Sequence, residues 1–312
     1  MGKIGTLVKM LKSPRLLKST LMSKFSYSKC SKIVGDKPFL KMQYKAVMGR
    51  KLNLKDPKTF NEKLQWLKLY DRNPLYTTLV DKVDAKEYVS DVIGAHCIIP
   101  TLGVWDRVED IEWDNLPDQF VLKCTHDSGS VVICRDKSTF DKEKAIKKLK
   151  KKLKSNLFWL SREWPYKNLK PRIIAEEFLS ELAEGIIDYK FFCFSGEPRF
   201  LYVSQGLENH ETARISYVSL DWEQEPFRRT DFKTFEVLPP RPQNLDQMIE
   251  YSKKLSNGLP FMRVDFYEVK GKVYFSEMTF YPGAGLTEFA PDGWDEKIGD
   301  MIDLSLAYSS QK

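Results

Sequence analysis

The sequence predicts an α+β protein built on antiparallel sheets. Three observations lead there. Helical apolar spacing dominates the front of the chain, and three pairs of apolar strands are each joined by a short turn. Strands and helices never alternate in the regular way that a parallel sheet requires.

Residues 1–50 read as an irregular or helical lead-in. From Thr59 to Tyr70, the residues Phe60, Leu64, Trp66, Leu67 and Tyr70 recur at helical spacing, and Asn73-Pro74 breaks the run. Leu79 to Val92 reads as a second amphipathic helix, with Lys82, Lys86 and Glu87 on its polar side and Gly94 to end it. A short strand is expected between Cys97 and Val104, after Pro100. Phe120 to Cys124 and Val131 to Cys134 are strands flanking a small polar turn, and Asp141 to Lys154 is a Lys-rich helix. Arg172 to Leu179 is a strand. Tyr189 to Phe194 and Arg199 to Val203 form a hairpin turned at Ser195-Gly196. Leu245 to Leu255 is a helix, and Phe261 to Val269 with Lys272 to Met278 form a hairpin turned at Lys270-Gly271. Pro282-Gly283-Ala284-Gly285 reads as a flexible loop, and Glu296 to Leu306 as a short closing helix.

The bulk numbers narrow the classes. A chain of 312 residues suffices for one large domain or a few lobes, and 42% hydrophobic with 30% charged residues is ordinary for a soluble globular protein. No apolar run is long enough to span a bilayer, and the N-terminus lacks the h-region of a secretory signal. The five cysteines are odd in number with no CxxC pair, which suits reduced thiols and a cytoplasmic setting. His96, His126 and His210 lie too far apart in sequence to suggest a zinc site. Charge is uneven: residues 1–55 carry 14 Lys and Arg against the single acid Asp36, while the remainder is net acidic. Such an arm, interleaved with Leu, Met and Phe, suits an anionic membrane surface or a polyanionic partner, and equally a merely solvated extension. Peripheral attachment at the inner face of a membrane is therefore an expectation.

The last hairpin carries the strongest chemical signal. Asp265 stands mid-strand among Phe261, Met262, Val264 and Phe266, where a carboxylate is costly unless something positive meets it. Glu277 lies on the partner strand in a similar context. Two carboxylates facing across a hairpin call for a cation, and Mg²⁺ takes one or two carboxylates with phosphate oxygens and water. Arg263, two residues before Asp265, shares its face and suits a transferring phosphoryl group. The alternative is a cross-strand Arg263–Glu277 ion pair with no ligand. Lys123 is the only charge in its strand and leads into Asp127-Ser128-Gly129-Ser130, whose backbone N–H groups could cover phosphates; the alternative is an ordinary turn. Neither a Walker A motif nor a GxSxG elbow is present. Glu176-Glu177, Asp188 and Lys190 stand at strand ends, where surface charge is the plain reading. Eight lysines between Lys142 and Lys154 fit a solvated helix face better than a nucleic-acid stripe.

In order, these pieces resemble the ATP-grasp family: Asp81-Lys82 on an early helix, Lys123 before a Ser/Gly loop, Ile174 to Leu179, Asp188-Tyr189-Lys190, then Arg263-Val264-Asp265-Phe266, Tyr274 to Thr279 and Pro282-Gly283. The final portion is close to the R-x-D-F … Y-x-x-E-x-N-x-x-P-G pattern of D-alanine–D-alanine ligases. Lys58 to Trp66, Gln119 to Gly129, Arg162 to Tyr166 and Asp188 to Phe194 narrow the resemblance to the TupA-like subfamily, linked to teichuronopeptide and capsular polysaccharide synthesis. It extends over roughly residues 50–305.

The resemblance implies an ATP-grasp fold, two antiparallel lobes gripping ATP, with divisions at 1–50 (basic extension), 51–115 (helical, substrate), 116–180 (small lobe with phosphate loop) and 181–312 (metal-binding lobe). It implies that Lys82 and Lys123 contact ATP phosphates under the loop Ser128-Gly129-Ser130. Glu176 meets the adenine amino group, the backbone near Glu177 and Leu179 holds the ring, Asp188 holds the ribose, and Lys190 is a further contact. Asp265 and Glu277 ligate two Mg²⁺ ions, Glu277 bridging, and Arg263 steadies an acyl-phosphate and its adduct, with Lys123 as the other catalytic residue. The family's Asn is here Thr279, a weaker metal ligand for which water or Asp292 would substitute, and the loop has one glycine where the family often has two. The implied activity is ligation of a carboxylate to an amine through an acyl-phosphate, with a cell-surface polysaccharide or its precursor as the setting. A glycan kinase on the same scaffold, a glycosyltransferase-associated enzyme of capsule synthesis and a basic nucleic-acid-binding protein are the alternatives.

Overall fold

The structure, a computed structural model, describes residues 14–127, 129–179, 186–207 and 211–308. Helices α1 (Pro14–Ser26) and α2 (Asp36–Met48) form an N-terminal hairpin, followed by α3 (Phe60–Tyr70), α4 (Leu75–Val80) and α5 (Asp84–Ile93). A four-stranded antiparallel sheet has the order β1-β4-β2-β3, from β1 (Thr101–Trp105), β2 (Phe120–Cys124), β3 (Val132–Cys134) and β4 (Ile173–Glu177). Between β3 and β4 lie α6 (Lys142–Leu153) and α7 (Leu157–Ser161). A five-stranded antiparallel sheet has the order β10-β9-β5-β6-β7, from β5 (Asp188–Phe194), β6 (Glu197–Gln205), β7 (Arg214–Ser219), β9 (Phe261–Val269) and β10 (Lys272–Thr279). The short strands β8 (Arg228–Arg229) and β11 (Phe289–Ala290) pair with each other, α8 (Leu245–Ser256) precedes β9, and α9 (Trp294–Asp300) follows β11.

Pleating sorts each sheet into two faces. On the smaller sheet, Phe120, Leu122, Cys124, Ile173 and Ala175 pack against Leu149 of α6, and the opposite face carries Lys123 and Glu176. On the larger sheet, Phe191, Leu201, Met262, Val264 and Phe266 share a core with Leu245, Met248 and Leu255 of α8. The other face is aromatic at one end and charged at the other. Phe60 of α3 seats on Phe261, Phe192 and Phe194 with ring centroids 5.1, 6.2 and 6.3 Å away. Burying each such ring contributes about 1.5–3 kcal/mol. That packing stops short of Arg263, Asp265 and Lys190.

Helix α3 starts with a capping box, Thr59 accepting from the Glu62 N–H while the Glu62 carboxylate accepts from the Thr59 N–H. The helix then clamps the segment after β10. Gln65 Nε2 donates to the carbonyls of Ala284 (2.9 Å) and Gly285 (2.7 Å), and Asn61 pairs with both backbone groups of Thr287. The Pro282–Gly285 loop is thus fixed from above, not the flexible loop the sequence suggests. Gly283, Ala284 and Gly285 are all left-handed, and a Cβ on Gly285 would strike the Gln65 amide.

The expected helix from Leu79 to Val92 is two helices. Asp81 Oδ1 accepts from the N–H groups of Val83 (2.8 Å) and Asp84 (3.2 Å), capping α5 and breaking the chain at Asp81–Val83. Lys82 therefore leaves a junction, not a helix face. The expected strand from Cys97 begins at Thr101, after a 3₁₀ turn at Ala95–Cys97. Strand β7 had no sequence signal. The N-terminal hairpin is joined to the loop after α7 by Arg162, whose Nη2 donates to the carbonyls of Ser31 (2.6 Å) and Val34 (3.2 Å) and whose guanidinium lies 3.9 Å from the Phe39 ring centroid.

Lys68 on α3 is fully enclosed and donates to Ala284 O (2.8 Å), Ser161 O (2.9 Å) and Gln65 Oε1 (3.2 Å). Burial brings it down to about 8, with Glu163 only partly opposing. Below pH 8 the folded and unfolded chains both carry this proton. Between pH 8 and the ordinary lysine value, the unfolded chain holds more of it, so stability rises with pH. Relative to Lys68→Met, the wild type should gain up to about 3 kcal/mol across that window in urea unfolding; a flat difference would refute the buried charge.

Candidate active site

Counted from the Lys270-Gly271 turn, an unbroken hairpin would set Ser276 opposite Asp265 and turn Glu277 into the core. A one-residue bulge between Phe275 and Glu277 changes this: Glu277 pairs with Asp265 and Thr279 with Arg263. On the other side of β9, Lys190 of β5 is the partner of Asp265. The bulge thus gathers Arg263, Asp265, Lys190, Glu277 and Thr279 on one face.

Asp265 is 0% exposed and saturated with cations. Arg263 grips it with Nε (2.7 Å) and Nη2 (2.6 Å), and Lys190 Nζ donates at 2.7 Å. The same Arg263 Nη2 reaches Glu277 (3.3 Å) and Thr279 Oγ1 (3.0 Å), while Nη1 reaches the Tyr202 hydroxyl at 3.3 Å. Lys190 also donates to Asp188 (3.3 Å), which accepts from Ser204 at 3.4 Å. Burial alone would lower both cations, but their carboxylate partners raise Arg263 and Lys190 well above their ordinary values. Burial likewise pushes Glu277 up, and Lys190, Lys82, Arg263 and Lys123 together outweigh it, holding the carboxyl down at about 2. Unlike Asp265, the Glu277 side chain is 39% exposed and opens onto a cavity.

That cavity, of about 240 Å³, is bounded by the Asp81-Lys82 junction, Asp127, Glu163 and Tyr166, the strand residues Arg263, Glu277 and Thr279, and the clamped Pro282–Ala284 loop. Lys82 Nζ donates to the Asp127 carbonyl at 2.6 Å. Beside it, Lys123 (2.5 Å) and Lys86 (2.6 Å) both pair with Glu176. Glu176, the residue expected to meet adenine, has a buried carboxylate that pairs with both of these lysines. Glu177 is exposed, and Leu179 packs with Ile99 and Val269 in a small apolar cluster that Tyr267 and Tyr274 flank.

The phosphate loop divides. Gly129 is exposed with φ +83°, which glycine allows. The Ser130 hydroxyl turns inward and accepts the Cys124 N–H at 2.8 Å, leaving only its backbone for a ligand. Ser128 lies outside the described residues. Asp292 is exposed and does not line the cavity, so it does not stand in for the missing Asn. The Thr279 hydroxyl is held by Arg263. Sequence reasoning gave no role to Lys86, Glu163, Tyr166 or Tyr202, and took Asp127 only as part of the turn that could cover phosphates. Glu163 and Tyr166 sit in the Arg162–Tyr166 motif, whereas Tyr202 had no signal, since a strand aromatic looks like core. The lysine row of α6 is partly engaged, through Lys150–Glu109 and Lys148 to the Val131 carbonyl.

The donor set fits a hard divalent cation. Glu277 is ionised, reaches the cavity and stands opposite Asp265, and carboxylate oxygens suit Mg²⁺. Asp265 Oδ1 accepts once, from Arg263 Nε, and Oδ2 twice, so Oδ1 keeps a lone pair for a metal. A family model for TupA-like ATP-grasp proteins matches residues 62–303. The chain belongs to the TupA-like ATP-grasp family. It is an ATP-grasp enzyme with that family's α+β architecture. No curated protein sequence matches it. Among solved structures it is similar to D-alanine–D-alanine ligase from Bacillus anthracis (17% identity, 75% of this chain and 69% of that one, TM-score 0.44). The D-alanine–D-alanine ligase from Helicobacter pylori is also similar (16% identity, 82% and 68%, TM-score 0.42). Likenesses at that level add nothing to the assignment of residue roles.

Lys190→Met would leave Asp188 without its cation and Asp265 with one. It should cost about 3–5 kcal/mol in chemical denaturation, the range for breaking a buried pair. Lys170→Ala, which breaks the exposed Lys170–Asp106 pair, should cost under about 1 kcal/mol. Equal costs would contradict the enclosed network.

Proposed function

We propose that the chain is an ATP- and Mg²⁺-dependent ligase that joins a carboxylate to an amine through an acyl-phosphate. The observation that carries this reading is the Asp265–Glu277 pair, brought into register by a bulge, with Glu277 opening onto a cavity beside Arg263 and Lys82. Glu277 and Asp265 would hold Mg²⁺, which supplies charge neutralisation for the transferring phosphoryl group. Lys82 and Lys123 would meet phosphate oxygens, Lys123 from its pairing with Glu176. The Leu179, Ile99 and Val269 cluster offers an apolar seat for a flat base. Arg263 gathers Asp265, Glu277 and Thr279, and its remaining donor capacity suits an oxyanion developing at the acyl carbon. Ordered protein groups thus replace water around the reacting atoms, and no covalent residue is needed.

A cell-surface polysaccharide or its precursor is the substrate setting that the family suggests. A membrane-linked acceptor would also give the basic N-terminal region a role. There, Leu17, Leu21 and Met42 are exposed beside Lys18, Lys24, Lys41 and Lys45, and no helix among the described residues is long and apolar enough to cross a membrane.

Calorimetry tests the ligase reading. Mg²⁺–ATP should bind the wild type in the micromolar range, and binding should weaken at least about 100-fold in Asp265→Asn with Glu277→Gln. A folded wild type that binds no Mg²⁺–ATP would remove the proposed activity.

A further inference from the structure

We propose that Asp127, with Asp81 beside it, forms an anionic anchor for the ammonium group of the second substrate, so that this substrate is a cationic amine. The proposal rests on the ligase reading and names its amine class.

Asp127 lines the cavity with a side chain only 1% exposed, yet neither carboxylate oxygen accepts a hydrogen bond. Its nearest cation, Lys152 on α6, stands 3.5 Å from Oδ2, an ion pair without a hydrogen bond. Lys82 could have neutralised it but donates to the Asp127 backbone carbonyl instead. Asp81 lines the same cavity. Its Oδ1 is taken by Arg172 and by the Val83 and Asp84 N–H groups, while its buried Oδ2 has no partner. The Tyr281 hydroxyl, also buried, lines the same cavity beside Trp164.

Buried polar atoms are nearly always satisfied, and a carboxylate left without donors is costly. A cluster of them around one cavity marks the place where a ligand supplies the donors. An ammonium group brings three donors to oxygens that the neighbouring cations, Lys152 and Arg172, leave without a hydrogen bond. A phosphate would be repelled by the same oxygens, which places the nucleotide on the Lys82–Lys123 side. Water could fill hydrogen bonds here but would add no charge to the single 3.5 Å ion pair that Asp127 makes. The cavity's size suits a small amine or the tip of a larger one.

The test uses the full chain, Asp127→Asn, and small amines followed by ligand-observed NMR with and without Mg²⁺–ADP. The probes are ethanolamine, glycinamide and 1,4-diaminobutane, with ethylene glycol as the neutral comparator. The ammonium probes should bind the wild type while ethylene glycol does not. Asp127→Asn should weaken them at least about tenfold, the scale of one lost charged contact, with Mg²⁺–ATP affinity nearly unchanged. Its melting temperature should hold or rise, because the change gives up no side-chain hydrogen bond and only the 3.5 Å ion pair with Lys152. Four results would overturn the proposal: no ammonium probe binding the wild type, equal binding to the variant, loss of Mg²⁺–ATP affinity in the variant, or a variant that melts early or fails to fold. Absence of Mg²⁺–ATP binding in the wild type would instead strike the ligase reading, whatever the amine probes do.

Discussion

A carboxylate with no exposure, held by two cations on the open half of a sheet face, organises this molecule. Asp265 is stable there only because Arg263 and Lys190 meet both its oxygens, and each of those cations is itself buried and needs anions in return. The network therefore extends by necessity to Asp188, Glu277, Thr279 and Tyr202. It is preorganised, since every member is fixed by another and little rearrangement remains when a ligand arrives. Of its three carboxylates, Glu277 is the one that lines the cavity. The site presents one ionised carboxylate outward and keeps a second in reserve behind two cations.

The rest of the fold keeps that arrangement in place. Phe60 and the phenylalanines beneath it fill the apolar end of the sheet face, so the charged end cannot be covered by further core. Helix α3 reaches past those rings with Asn61, Gln65 and Lys68 to fix the segment that follows β10. Arg162 ties the N-terminal hairpin to the loop carrying Glu163 and Tyr166. The extension is thus more than a basic arm, because its α2 ring Phe39 and carbonyls from its connecting turn brace one wall of the cavity.

Much of this was legible in the sequence, for identifiable reasons. An Asp and a Glu flanked by apolar residues on two strands around Lys270-Gly271 announce a site, because burial makes such residues costly. The family became readable from the order of its fragments, not from any one of them. The register was not legible: simple hairpin counting buries Glu277, and nothing in Phe275-Ser276-Glu277 declares a bulge. The break at Asp81 was missed because the apolar spacing runs through it, while the Asp81 carboxylate caps the second helix. Strand β7 escaped because Ser216 interrupts its apolar pattern, although that serine is wholly buried and accepts the Phe235 N–H. The convergence of Lys86 and Lys123 on Glu176 from two other elements was not legible either, because local sequence does not show which elements meet.

The central claim is that Glu277 is the outward metal ligand of this network. Electron paramagnetic resonance of Mn²⁺ bound with ADP tests it most directly. The account predicts that wild-type protein with ADP binds Mn²⁺ in an ordered environment, and that Glu277→Gln, which leaves Asp265 clothed by Arg263 and Lys190, abolishes that signal while the protein remains folded. An unchanged Mn²⁺ signal in folded Glu277→Gln would contradict it.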